Sequence, residues 1–572
     1  MPGVRILKYI KKNTYGVAAA AIIVFAVGLR LTLIALHWPP TNGDEGVMAT
    51  MAYNIAYRGE HPTIFYGQNY MGVLEAYLGA LFFHIFGGPS LTALRLGVVL
   101  MVGLFFVCMY WLTSLLFSKK LALVTLGLLS VGSIPYLTRQ TIATGGSSQT
   151  LLFGSLAFLI AAWLARTYQR HATVRTRLRR LPLYGAFGLV AGLGMWSDMI
   201  VLPFLAMAGL LILVFCWREL LIWGGWLLAG VGALVGLYPS LLFSMNRGLN
   251  PFITLFNLVQ GTGYDPTASL GLWHNTVETV QVTIPTATGF PFCPVIEYPF
   301  LGDNTPRTLQ CGIIHTAWGG GYLLLILTAL IFTLLLLQRV IRYRQEVTAE
   351  ERHHLLVSRI AQLLMIGAAI GVIVVFIRST GPFNQPGYHA RYFVGLLIIL
   401  PALLDPLWSA ASKLHPQALW QRVRTYFCRA ILAIVALILI IGTVIAFSEV
   451  PNAQTFNAQR SDLAAQLEHL GVKHVYTDYW TCYSLVFASQ ERVICGVINH
   501  HLNPSHNRYP PFYTAVHQDK AASWMCPKDP NMTTTEYDCL DWLNKRMAKQ
   551  PPGKYKRYDI DNYVLYRYMP QH

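Results

Sequence analysis

Apolar stretches of roughly 17 to 25 residues, enough to cross a bilayer core, recur near 15–36, 93–117, 120–137, 150–168, 183–198, 199–217, 221–243, 317–338, 355–377, 392–410 and 429–447. The pattern predicts an α-helical polytopic membrane protein of about eleven spans. Three intervening or flanking regions, 37–92, 244–316 and 449–572, are large enough to carry chemistry. Segment 72–87 is apolar but short, and it holds Glu75 and His84. It reads as a helix lying in the exterior interface, because a span there would invert every later loop. After Ser448 the chain turns polar and aromatic-rich, broken by Pro504, Pro510, Pro511, Pro527 and Pro530. The division is therefore a membrane domain over 1–448 and a small α/β domain over 449–572. In the latter the pattern predicts a helix at 461–470, a strand at 472–478, a helix or strand at 481–489, a strand at 491–498 and a helix near 536–548. Two alternating runs, 555–560 and 563–569, flank Asp561-Asn562 and read as a hairpin.

Composition agrees with this picture: of 572 residues 54% are hydrophobic and 12% charged, with mean hydropathy +0.45, against about 25% charged in soluble proteins. A net charge of +17 raises the question of nucleic acid. The Lys and Arg residues, however, fall in short clusters between apolar runs rather than along one stripe, which argues against nucleic acid and for membrane topology. With the amino terminus in the cytoplasm, Arg5, Lys8, Lys11, Lys12, Lys119, Lys120, the run 166–180, Arg218 and the clusters at 339–352 and 413–429 all lie inside. The opposite short loops keep Arg58, Arg139, Arg247, Arg307, Arg378 and Arg391, and an odd span count places 449–572 outside. The first span runs through Arg30 without a small-residue cleavage site, so it is expected to be a retained helix of a plasma-membrane protein. Cys108, Cys216 and Cys428 lie in or beside the membrane, whereas Cys293, Cys311, Cys482, Cys495, Cys526 and Cys539 fall outside. An even exterior count permits disulfides. Cys293 and Cys311 are the natural pair, the other four allow three pairings, and unpaired buried thiols are the alternative.

Chemistry concentrates at a few places. Asp44 and Glu45 sit in Pro39-Pro40-Thr41-Asn42-Gly43-Asp44-Glu45-Gly46, between the first span and a predicted helix at 46–57. Acids there cap a helix, act as a general base toward a hydroxyl, or orient a metal ion. Glu75 follows Gln68, Asn69 and Tyr70, and either faces a cavity or anchors at the interface. Arg391 opens a late span in Tyr388-His389-Ala390-Arg391-Tyr392, after a loop with Arg378; it binds phosphate bidentately or snorkels to headgroups. Behind Arg139, Thr144-Gly145-Gly146-Ser147-Ser148-Gln149 lets backbone amides approach an anion or, the favoured reading, makes a tight turn. It lacks the strand-turn-helix context of a serine nucleophile elbow. Gly261-x-Gly263 meets Pro266 where a dinucleotide motif needs its third glycine. His500, His501, His506 and His517 lack metal-ligand spacing. Asp198, at a hairpin tip, is expected to meet water.

These residues resemble the polytopic glycosyltransferases of the GT-C fold, in particular the bacterial aminoarabinose transferase and protein O-mannosyltransferase group. The likeness runs from Arg30 and Gly43-Asp44-Glu45 through Tyr66-Gly67-Gln68-Asn69-Tyr70-Met71-Gly72-Val73-Leu74-Glu75-Ala76-Tyr77. It continues in Phe86-Gly87, Leu94-Arg95-Leu96, Arg391-Tyr392 and, in the terminal domain, Lys473-His474-Val475-Tyr476-Thr477-Asp478. The resemblance implies transfer of a sugar from a polyprenyl-phosphate-linked donor to a hydroxyl of a glycan, lipid or protein acceptor; no cofactor is certain, and a divalent metal is only weakly supported. Asp44 matches the family's supposed base and Glu45 its neighbour. Arg391, with His389 or Arg378, is expected at the departing phosphate, and Glu75, Tyr70, Gln68 and Arg139 at the substrates. One departure stands out: many relatives carry a second acid in the second exterior loop, and 138–150 here contains none. A divalent metal would lack that carboxylate unless Glu75 replaces it. The rival classes are a transporter or lipid flippase, whose repeated halves the chain does not display, and a scaffold presenting the terminal domain to a partner.

Overall fold

A computed structural model of the chain describes residues 14–170, 173–248, 253, 271–293, 309–342, 348–382, 386–413, 417–528 and 539–570. Arg5, Lys8, Lys11, Lys12, Gly261, Gly263, Pro266, Arg307, Pro530 and the predicted helical residues 536–538 lie outside them.

Among the described residues, 8 helices are long and apolar enough to cross a membrane: Thr14–Ala35, Leu91–Leu116, Ser147–Arg166, Met199–Leu221, Gly225–Asn246, Leu309–Arg342, Ala349–Ile377 and the helix beginning at Leu419. Tyr388–Leu397 and Leu400–Ala411, bent by 55°, make a ninth. The two other expected spans have different reasons for standing apart. Residues 183–198 belong to Val174–Ser197, a helix of 24 residues and so about 36 Å long; Arg175, Arg177, Arg179 and Arg180 dilute its apolar content. It packs on Gly225–Arg247 along a seam of small residues, where a Cβ on Gly192 would meet Gly236 Cα at 2.9 Å. Residues 120–137 are broken into Lys119–Ser130 and Ile134–Thr138. The break orphans backbone carbonyls in apolar surroundings. The buried Arg30 of the first helix satisfies them, donating to Ser130 O at 2.9 Å, Leu129 O at 3.3 Å and Gln140 Oε1 at 2.9 Å.

The segment expected at the interface forms the helix Leu74–Ile85, 12 residues or about 18 Å long, too short for a core of about 30 Å. It lies between Gly43–Arg58 and Leu91–Leu116. The last span, Leu419–Ser448, passes through Glu449 directly into Val450–His469, so the chain enters the terminal domain on a nearly continuous helix.

That domain holds a sheet of strands β1 (His474–Thr477), β2 (Ile494–Val497), β3 (Ser523–Pro527), β4 (Tyr555–Ile560) and β5 (Tyr563–Tyr568), in the order β2-β1-β3-β5-β4. β1 pairs in parallel with β2 and β3, while β5 runs antiparallel to β3 and to β4, its partner in the expected hairpin. Segment 481–489, ambiguous in sequence, lies in the helix Tyr479–Ala488, capped by Asp478, whose Oδ1 accepts from Thr481 N at 3.0 Å. Strand β3 and the helix Pro510–Gln518 were not anticipated. Disulfides join Cys293 to Cys311, Cys482 to Cys495 and Cys526 to Cys539, which selects one of the three pairings open to the terminal domain. Cys108, Cys216 and Cys428 are buried and free.

Candidate active site

The first-loop helix Gly43–Arg58 begins at Asn42, whose side chain accepts from Glu45 N at 2.8 Å, and ends at Gly59 in the left-handed region. Asn42 is thus the cap, and Asp44 and Glu45 occupy the first turn, near the positive end of the dipole. The two acids then diverge. Glu45 is fully buried and receives Arg95 through two bonds, Nε to Oε1 at 2.8 Å and Nη2 to Oε2 at 2.7 Å, with Ala143 N at 3.2 Å. Asp44 instead accepts a hydrogen bond from the hydroxyl of Tyr479 in the terminal domain. Arg508 donates Nε to that same phenol oxygen at 3.4 Å and Nη1 to Gly67 O at 3.0 Å. Burial first, and the Asp44 carboxylate second, hold the Tyr479 phenol well above its ordinary range, so it remains a donor. The flanking glycines are contact residues. A Cβ on Gly43 would lie 2.8 Å from Tyr479 O, and one on Gly46 would lie 2.5 Å from Ser484 N. They let the helix Tyr479–Ala488 press against Gly43–Arg58.

The cationic side of the site comes from the bent span. Arg391 donates to Tyr388 OH at 3.0 Å and Tyr392 OH at 3.3 Å, with its guanidinium 4.4 Å from the Tyr388 ring centroid. Its Nε is buried and has no hydrogen-bond partner among the described residues. His389 stacks on Tyr392 with centroids 5.5 Å apart, and its Nδ1 lies 3.0 Å from Gly381 O. Arg139 donates to Tyr388 O at 3.4 Å; burial and then the repulsion of Arg391 pull it down to about 10, against the attraction of Tyr388 and Asp44. Arg139 and Arg391 line a narrow cleft of about 20 Å³ whose other walls include Pro135, Ala287, Val394 and Leu397.

Asp198, expected to meet water, is buried, and the reason lies in a neighbour. Gly146, at φ 81°, presents no side chain, and a Cβ there would collide with the Asp198 carboxylate. Asp198 Oδ1 accepts from Ile200 N at 3.1 Å. Burial pushes its carboxyl up to about 6, opposed by that amide and by Arg391. The loop 37–92 is pinned alongside by Gly72 N to Ser197 O at 3.1 Å and Trp196 Nε1 to Thr63 O at 2.7 Å. This places Tyr70 within electrostatic reach of Tyr392, Arg391 and Asp198. Asp44 in turn acts on Arg139, Tyr388, Tyr479, Arg508 and His506. Electrostatic contacts thus link Asp44 to Arg139 and Arg508, and Asp198 to Arg391, three guanidiniums against two acids.

No family model and no curated protein matches the chain by sequence. Solved structures match it in shape. ArnT from Cupriavidus metallidurans bound to undecaprenyl phosphate is similar at a TM-score of 0.56 and 14% identity, covering 98% of this chain and 100% of that one. The apo state of the same protein gives 0.54 at 14% identity over 97% and 100%. The apo oligosaccharyltransferase of Archaeoglobus fulgidus gives 0.50 at 15% identity over 98% and 75%. The chain has the GT-C fold.

On this GT-C frame the residues read from the sequence separate into groups. Asp44, Tyr70, Arg139, His389 and Arg391 come together as described. Gln68 lies on the same loop, two residues before Tyr70, and its Oε1 is buried without a hydrogen-bond partner among the described residues. Glu45 is committed to Arg95. Glu75 is buried, accepting from Gly145 N at 2.8 Å and Ser148 Oγ at 2.9 Å. Burial pushes its carboxyl up to about 7 against the pull of those donors. The glycine turn 144–149 thus brings an amide to an anion after all, and the anion is internal. Arg378 is exposed at the end of Ala349–Ile377. The acid that the fold brings beside Arg391 is Asp198. Tyr388 and Tyr392 stood in the quoted motif without being singled out, whereas Tyr479 and Arg508 carried no local signal at all. Among the described residues no group of three or more His, Cys, Asp or Glu is placed to hold a metal ion.

Proposed function

We propose that this protein is a membrane glycosyltransferase that moves a sugar from a polyprenyl-phosphate-linked donor to an acceptor hydroxyl, with inversion, at the exterior membrane face. The observation that carries the reading is a carboxylate, Asp44, within electrostatic reach of Arg139, which with Arg391 lines a cleft with apolar walls. In this mechanism Asp44 takes the proton of the acceptor hydroxyl as the new bond to the anomeric carbon forms. The bond from that carbon to the phosphate oxygen breaks, and its electron pair stays on the lipid phosphate. Arg391, with its unpartnered Nε, and Arg139 bind that phosphate and stabilise its added charge. His389 holds the Tyr392 ring against Arg391, while Gln68 and Tyr70 offer polar groups to the sugar. The acceptor is a glycan, lipid or protein, and the bound undecaprenyl phosphate of the similar ArnT structure supports the donor class.

The same reading places the amino terminus in the cytoplasm and the terminal domain, 449–572, outside the plasma membrane. Its support is the segregation of basic clusters together with three disulfides, which persist in oxidising compartments. The experiment is turnover of a panel of polyprenyl-phosphate sugars by purified protein, read as release of polyprenyl phosphate. Asp44→Asn abolishes release while the protein still folds, and wild-type turnover by that variant removes the aspartate from the mechanism. Arg391→Ala weakens donor binding roughly 10- to 100-fold, the worth of a charge-assisted contact. Unchanged affinity refutes the phosphate role, and movement of lipid across vesicles without release favours a flippase.

A further inference from the structure

We infer that the terminal domain is a working part of the transfer site, with Tyr479, oriented by Arg508, acting as a positioning residue for Asp44; this rests on the reading of Asp44 as the base. The contact joins residues 435 positions apart and exists only while the domain is docked. Its geometry is fixed from several directions. Tyr479 opens a helix capped by Asp478 and tied to β2 by the Cys482–Cys495 disulfide. Arg508 bridges the phenol to Gly67 of the first loop. The next residue, Tyr509, donates its amide to Tyr483 OH at 3.0 Å and its hydroxyl to Glu60 Oε1 at 2.8 Å. Gly43 and Gly46 supply the close approach that all of this needs.

The chemical consequence follows from which oxygen is used. Tyr479 donates to Oδ1 of Asp44, which leaves Oδ2 to face a hydroxyl. That donor fixes the plane of the carboxylate, so that the base is aimed when the acceptor arrives. Arg508, donating to the phenol oxygen, turns the hydroxyl hydrogen toward Asp44. The groups that face Asp44 are Arg139, Tyr388, Tyr479, Arg508 and His506. Removal of the Tyr479 hydroxyl leaves the other four in place.

The test compares wild type, Tyr479→Phe, Arg508→Gln and Asp44→Asn as full-length protein in nanodiscs, with polyprenyl-phosphate sugars as the probe and release of polyprenyl phosphate as the readout. For Tyr479→Phe, kcat falls roughly 10- to 100-fold while the donor KM stays within about twofold. Phe keeps the ring against Gly43, so the melting temperature stays close to wild type. Arg508→Gln lowers kcat in the same way by a smaller factor, and it decides the matter if Tyr479→Phe melts early. A wild-type kcat in the folded variant overturns the positioning role, while a dead Asp44→Asn beside it leaves the base standing. An active Asp44→Asn overturns both.

Discussion

The Glu45–Arg95 pair offers the sharpest check on how the site is built. Both side chains are buried, with 0% and 3% of their surface exposed, and the guanidinium grips the carboxylate through two short bonds. Removing one member leaves the other charged and unpaired in a desolvated setting, which costs about 3–5 kcal/mol. Arg95→Met alone and Glu45→Gln alone are each expected to lose stability on that scale. The double variant, with no charge left and the Gln oxygen still able to accept from Ala143 N, is expected to recover most of it, since uncharged replacements of a buried pair are often nearly neutral. The assay is a double-mutant cycle on thermal or denaturant unfolding in detergent, alongside turnover. The coupling energy should reach about 2 kcal/mol or more, within the range for residues in direct contact, and the double variant should retain transfer activity. Additive losses would refute the pairing as the source of the effect. A double variant that is stable and yet inactive would refute the division of labour, because Glu45 would then be a chemical group rather than a structural one.

Two other expectations follow from the same coordinates. Gly46→Ala gains about 1 kcal/mol of helix propensity, but its Cβ has backbone on its path, 2.5 Å from Ser484 N, and overpacking costs about 1–3 kcal/mol; limited proteolysis should release the terminal domain sooner than in wild type, whereas Gly28→Ala, with nothing within 4 Å of its Cβ, should not. Burial raises Asp198 from an ordinary 3.8 to about 6, so between those values the folded protein keeps a proton that the unfolded chain has released, and stability falls as pH rises through that window. Asp198→Asn removes that loss, by up to roughly 3 kcal/mol at pH 7, so the variant should melt above wild type at pH 7 and converge with it below about pH 4; a variant that melts lower at pH 7 contradicts the assignment.

Much of this architecture was legible because it is local. Long apolar runs announce spans. Alternation around Asp561-Asn562 announces a hairpin. The failures share the opposite property. β3 is Ser523-Trp524-Met525-Cys526-Pro527 and buried along its whole length, so no period-2 alternation marks it. The break after Ser130 is invisible in hydropathy because its carbonyls are satisfied by Arg30, some 100 positions earlier. Asp198 was read from its place at a hairpin tip, but its burial is decided by Gly146, whose missing side chain makes the room. Tyr479 and Arg508 reach the site only through docking of a separate domain, which no periodicity records. Gly43 and Gly46 looked like turn formers; neither has positive φ, and both serve an interface between helices.

The Asp44–Glu45 pair shows why adjacency in sequence misleads about adjacency in function. Neighbouring positions on a helix of 3.6 residues per turn point about 100° apart, so two acids in a first turn cannot both face one cleft. Here the inward direction meets Arg95 and the amide of Ala143, and the other direction meets Tyr479, Arg508 and the arginines of the cleft. The first acid is open to chemistry because the second anchors the helix. In the proposed reaction, a negative charge buried beside the base without a partner would repel the leaving phosphate; paired with Arg95 it would not. Asp44 is left to the positive charge of Arg139 and Arg508, the arrangement that the proposed departing phosphate would require.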